Sequence, residues 1–155
     1  MRGCVRMDER AYTFKEYLEQ NGRMTYYNKG VSMLPMLRQG RDLITVVKKG
    51  PERCRKYDVI LFDRPPNDHV LHRVVEVRDG DYGVLGDNCW NVETVREDQI
   101  VGVLESFTRS GRTISVGDPL YRAYSVLRVF FYPVRKLRWR AVRKIRKILG
   151  LGKKK

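Results

Sequence analysis

The stretch Val70-Leu71-His72-Arg73-Val74-Val75-Glu76-Val77 is rich in β-branched residues and reads as a strand. At a period of two, Val70, His72 and Val74 share one face and Leu71, Arg73 and Val75 the other. An imidazole on an apolar strand face calls for a partner. Further β-rich runs lie upstream at 43–47 and 59–62, and downstream at 82–85, 100–107 and 113–116. Gly40, Gly50-Pro51, Pro65-Pro66, Gly80, Gly86 and Gly111 punctuate them. Short strands at short intervals predict a mainly β domain, a small barrel or sandwich, preceded by one helix. That helix is predicted over residues 9–20, with Asp8 as N-cap, Phe14, Tyr17 and Leu18 on its apolar face, and Asn21-Gly22 as its stop.

The chain has 155 residues, enough for one domain with its own core, and its apolar content of 42% is that of a globular protein. Its net charge is +14, but 13 of the 32 Lys/Arg lie between Pro119 and Lys155, a segment without Asp or Glu. The remaining 19 basic and 18 acidic residues leave the body near neutral, which argues against a uniformly basic nucleic-acid-binding domain. Three regions follow: 1–28, a helix and lead-in strand; 29–118, the β domain; and 119–155, a basic amphipathic C-terminal tail. Cys4, Cys54 and Cys89 are odd in number and lack metal spacing, so free thiols in a reducing compartment are expected, with no metal and no cofactor.

The N-terminus lacks the apolar core of a secretory signal, and no run of 18 apolar residues exists to form a spanning helix. The expected location is therefore cytoplasmic, at the periphery of a membrane. In the tail, Val134, Leu137, Ala141, Val142, Ile145, Ile148 and Leu149 fall within an arc of about 140° at 100° per residue. Arg135, Lys136, Arg140, Arg143, Lys144 and Lys147 line the other side and are the expected membrane-binding residues. Pro133 should break any helix arriving from Tyr121. The basic neighbours of Trp139 favour a surface position for it. An acidic leader peptide or nucleic acid are the alternative ligands of this tail.

One serine lies in an unusual context, Gly30-Val31-Ser32-Met33-Leu34-Pro35-Met36-Leu37. A glycine before it permits tight backbone geometry, and a proline after it fixes the turn. A serine hydroxyl needs a base to become a nucleophile, and His72 is the candidate. Asp87, in Gly83-Val84-Leu85-Gly86-Asp87-Asn88, is a candidate for orienting that base, and equally a turn former.

The segments GVSMLPML (30–37), KYDVILF (56–62), HVLHRVVEV (69–77), GVLGDN (83–88) and QIVGVL (99–104) together resemble the type I signal peptidases, in family order. The resemblance covers about residues 30–104, half the chain. It implies a signal-peptidase or LexA-like β fold, with Ser32 as nucleophile and His72 as base. Lysine is the base in most bacterial members and in LexA-like repressors. His72-Arg73 looks instead like the Ser/His branch of the endoplasmic reticulum type. The resemblance places an assisting acid at Asp87, and a second at Glu93, one methylene longer than the usual Asp. It further implies substrate contacts at Met33, Pro35 and Val70, a preference for small residues before the scissile bond, and a substrate bound as an added strand. The chain departs from the pattern at Tyr57, where glycine is usual, at Gly40-Arg41-Asp42, which has an extra residue, and in having no spanning anchor.

The expected activity is therefore that of a serine endopeptidase acting on a peptide or protein precursor and held on an anionic membrane surface by its tail. A partner protein is a further candidate. Two alternatives differ in class: a non-catalytic lipid- or nucleic-acid-binding module with the same fold, and a self-cleaving LexA-like regulator.

Overall fold

A computed structural model of the protein describes residues 5–7, 10–66 and 68–149. Two short strands, β1 (Val5–Met7) and β2 (Arg10–Tyr12), pair with each other, and α1 (Phe14–Asn21) follows. The predicted helix is thus shorter than expected, because residues 10–12 are extended; Asp8 lies outside the described residues. Thr13 is the actual cap. Its hydroxyl accepts from the Glu16 N–H at 3.2 Å, and the Glu16 carboxylate accepts from the Thr13 N–H at 2.8 Å. This reciprocal pair satisfies two end groups and outcompetes an earlier start. Gly22, at φ 70°, ends the helix in the left-handed region, and Leu18 is fully buried.

The remaining strands are β3 (Arg23–Tyr27), β4 (Leu43–Lys48), β5 (Val59–Arg64), β6 (Asp68–Val77), β7 (Asp81–Leu85), β8 (Glu93–Arg96), β9 (Ile100–Arg109) and β10 (Arg112–Ser115). They form one antiparallel sheet in the order β3-β4-β9-β5-β6-β7-β8, with β10 paired onto β9. The expectation of a mainly β protein holds. The sheet is open, so the closed-barrel option does not. β8, Glu-Thr-Val-Arg, was not foreseen, since Val95 is its one apolar side chain and alternation leaves no signal.

The sheet buries both faces. Along β5, Val59 and Leu61 enter one core with Leu18, Leu71 and Phe107, while Ile60 and Phe62 enter a second with Val70, Val74 and Tyr82. The period of two on a doubly buried strand explains why residues 59–62 are apolar throughout. The register pairs Ile60 with His72 and Val59 with Arg73. His72 therefore sits on the second-core face and Arg73 on the first. These neighbours serve opposite sides of one strand.

Two helices end the described chain, α2 (Pro119–Phe130) and α3 (Tyr132–Ile148). Asp118 caps α2 by accepting from the Leu120 N–H at 2.8 Å. The helices part at Phe131, and Pro133 falls in the first turn of α3, where its missing N–H costs nothing. Far from hanging free, α2 buries Tyr121 and Ser125 against the sheet. No described helix is long and apolar enough to cross a membrane.

Candidate active site

Ser32 lies in the loop between β3 and β4, whose neck is pinned by several bonds. The Asn28 N–H donates to the Asp42 carbonyl at 2.9 Å, and the Gly40 N–H to the Asn28 carbonyl at 3.2 Å. The Gly30 N–H donates to Gln39 Oε1 at 3.0 Å. Gly30 takes φ 82°, a conformation that a side chain would strain, so the glycine before the serine is there for its backbone. The Asp42 side chain is fully buried beneath the loop and accepts from Arg41 at 2.7 Å, from Arg109 at 3.0 Å and from the Arg38 N–H at 2.8 Å. Burial pushes the Asp42 carboxyl pKa up, but these hydrogen bonds outweigh it and hold the pKa well below the usual carboxylate range. Asp42 thereby locks the loop that presents Ser32.

His72 is 1% exposed. Its Nε2 faces Gly86. A methyl group built on Gly86 would stand 2.9 Å from His72 Nε2, 2.8 Å from the Ser32 carbonyl oxygen and 2.7 Å from Cys89 Sγ. One glycine thus lets the imidazole and the serine backbone meet. The Asn88 N–H, in the same turn, donates to the Ser32 carbonyl at 2.7 Å, and Asn88 Nδ2 donates to the Val31 carbonyl at 3.2 Å. The other ring nitrogen, Nδ1, lies 3.4 Å from Glu93 Oε1. Arg64 Nη2 holds both oxygens of that carboxylate, at 2.6 and 2.7 Å, and Nδ1 makes no well-formed hydrogen bond of its own. Burial lowers the His72 pKa from 6.5 to about 4; Glu93 pulls it up and Arg64 pushes it down. The ring is therefore neutral at pH 7 and free to accept a proton.

Asp87 does not take the place foreseen for it beside His72. It is 3% exposed, and its two oxygens accept from Arg73 Nε and Nη2, each at 2.9 Å. Tyr124 donates a third hydrogen bond at 3.0 Å. Arg73 also donates to the Tyr57 carbonyl at 3.1 Å and to Ser125 Oγ at 2.7 Å. The reason is the register of β6: Arg73 points to the face on which α2 packs, and Asp87 follows it there. The carboxylate that approaches the imidazole is Glu93.

Ser32 and His72 open onto a cleft of about 610 Å³, walled by Phe14, Tyr26, Asn28, Leu71, Arg64 and Cys89 among others. On its floor, residues 68–72 of β6 pair with β5 on one side; on the other side no described strand pairs them, and β7 joins only from Arg73 onward. This leaves an open strand edge facing the serine loop. Of the expected substrate contacts, Val70 lines the cleft. Met33 is 1% exposed in the first core, and Pro35 lines a separate groove of about 290 Å³ beside α2. The turn after Ser32 carries these two side chains away from the cleft.

Sequence reasoning missed Asn28 and Arg64. Asn28 lines the cleft, and its Nδ2 is buried without a hydrogen-bond partner among the described residues. Nothing in the order of residues marks it. Cys89 Sγ lies 4.0 Å from His72 Nε2, but burial raises its thiol pKa, which disfavours the thiolate. Cys54 and Cys89 are free; Cys4 lies outside the described residues. Among the described residues no three His, Cys, Asp or Glu gather as a metal site.

Of the six basic residues expected to bind a membrane, Arg135 is engaged by the body of the protein. Its guanidinium donates to the Asp87 carbonyl at 2.7 Å and lies over the Trp90 ring at 5.6 Å. Trp139 likewise turns inward and stacks on Trp90, with ring centres 5.3 Å apart.

The chain matches no model of a known protein family and no curated protein.

Proposed function

We propose that this protein is a serine endopeptidase of the signal-peptidase kind, cleaving a peptide or protein precursor. The observation that carries the reading is the orientation of His72. Nε2 is turned to the serine loop across Gly86, and Nδ1 to the Glu93 carboxylate. An imidazole with one nitrogen toward a serine-bearing loop and the other toward a carboxylate is oriented as a base that activates a nucleophile must be.

The chemistry follows. Ser32 Oγ attacks the scissile carbonyl carbon while its proton passes to His72 Nε2. The Ser32 amide supplies a hydrogen bond to the substrate's carbonyl oxygen. The C–N bond breaks, and His72 returns the proton to the leaving amine. Water then attacks the acyl ester, losing its proton to the same nitrogen, and Ser32 is released. Glu93 stabilises the imidazolium formed at each step. An extended substrate adds to the open edge of β6, donating and accepting main-chain hydrogen bonds.

The test is single-turnover cleavage of a peptide library with small residues at varied positions, comparing wild type with Ser32→Ala and His72→Ala. Cleavage abolished by both substitutions is expected. Folded wild type that neither cleaves nor reacts at Ser32 with a serine-directed fluorophosphonate probe would overturn the proposal.

A further inference from the structure

α3 meets the body along one flank only. Tyr132 donates to the Trp90 carbonyl at 2.7 Å, Arg135 to the Asp87 carbonyl, and Trp139 stacks on Trp90. On a helical wheel these three residues share one narrow sector. The apolar arc, interrupted by Arg138, lies about 120° away and faces outward: Leu137 is 69% and Ile148 74% exposed, with Val134 and Ile145 also exposed. At the junction with α2, Phe130 is exposed as well, against the edge of Phe131. An apolar face of this extent on a lone chain marks a surface that something covers.

The charge around it identifies the cover. From Pro119 onward there are 13 Lys/Arg and no acid. Arg140, Lys144 and Lys147 flank the arc, and none of them has an acidic partner among the described residues. A second copy would bring the same charges into contact. An anionic bilayer accepts the apolar side chains among its acyl chains and the cations at its headgroups.

We infer that α3 lies in the plane of an anionic bilayer surface, its Leu137/Ile145/Ile148 face inserted and its basic flank on the headgroups. The inference does not depend on the chemistry of the cleft. Docking also fixes the orientation of that cleft, because Arg128 and Arg135 both hold the Asp87 carbonyl in the turn that touches Ser32.

The experiment is vesicle flotation of the full chain, using phosphatidylcholine with or without about one quarter phosphatidylglycerol at low salt. Wild type is expected to float with the anionic vesicles and far less with neutral ones. The Leu137→Asp/Ile145→Asp double variant, altered at two exposed sites and checked for an unchanged thermal transition, is expected to lose about a hundredfold or more in partitioning. Wild type that stays with the pellet would overturn the inference. So would an apolar-face variant that floats equally well, which would mean a merely polyanion-binding tail. A dimer dissolved by the same substitutions, without flotation, would assign the face to a second copy instead. Failure here leaves the Ser32 labelling and cleavage tests untouched, so the two proposals fall separately.

Discussion

Glu93 Oε1 stands 3.4 Å from His72 Nδ1, while Asp87 is bound on both oxygens by Arg73. One carboxylate thus approaches the imidazole, and the other is tied to the guanidinium on the opposite face. Glu93→Gln is expected to lower kcat by about a hundredfold or more with KM and the thermal transition little changed, as a positioning carboxylate should. Wild-type kcat in this variant would show that His72 needs no acid at Nδ1.

Asp87 carries structure. Removing one member of a buried ion pair strands the other, at a cost of about 3–5 kcal/mol. Asp87→Ala is expected to lose that much in a denaturant titration, with exposure of Tyr124. Arg73→Lys is expected to be nearly as damaging, since an ammonium cannot reproduce the fork to Asp87. Stability within about 1 kcal/mol of wild type in both variants would contradict a structural role for the pair.

Burial holds the His72 pKa at about 4 in the folded protein, against 6.5 when exposed. Between these values the unfolded chain binds a proton that the folded one does not, so stability falls as pH falls. The loss across this window is about 3 kcal/mol, and stability is full above pH 6.5. Chemical denaturation of wild type and His72→Gln from pH 7 to 4 isolates it: the difference in their slopes should vanish above pH 6.5. The acid limb of kcat/KM is expected well below the usual histidine range for the same reason. A limb near 6.5 would mean that the ring is hydrated in solution.

Gly86 is the point of closest approach in the site. A methyl group there meets Cys89 Sγ at 2.7 Å, the Ser32 carbonyl at 2.8 Å and His72 Nε2 at 2.9 Å, so the serine loop or the imidazole must shift. Gly86→Ala is expected to reduce fluorophosphonate labelling of Ser32 by about a hundredfold, since small misplacements of reacting groups cost that much. Unchanged labelling would place the reactive serine elsewhere.

Tyr57 takes φ 82°, in the region that favours glycine. Relief of its strain, about 1–2 kcal/mol, exceeds the entropic cost of glycine, about 0.5–1 kcal/mol. Tyr57→Gly is expected to leave stability unchanged or raise it by up to about 1 kcal/mol in a thermal melt. Clear destabilisation would show that the Tyr57 ring contributes more than its backbone costs.

Much of this protein was legible in its order of residues. The alternation of 70–77 and the apolar runs at 43–47, 59–62 and 100–107 located the strands, because burial on a sheet imposes a period of two or a continuous apolar run. The acid-free tail and the amphipathic spacing of α3 are likewise properties of the chain alone. Strand register, by contrast, is set by pairing between distant residues. It decided that His72 and Arg73 face opposite sides, that Asp87 follows Arg73, and that Glu93, on a strand with no apolar signal, reaches the imidazole. Packing decided that Met33 is core and that Arg135 and Trp139 turn inward, because a helical wheel gives the spacing of side chains but not the angle at which the helix meets the body.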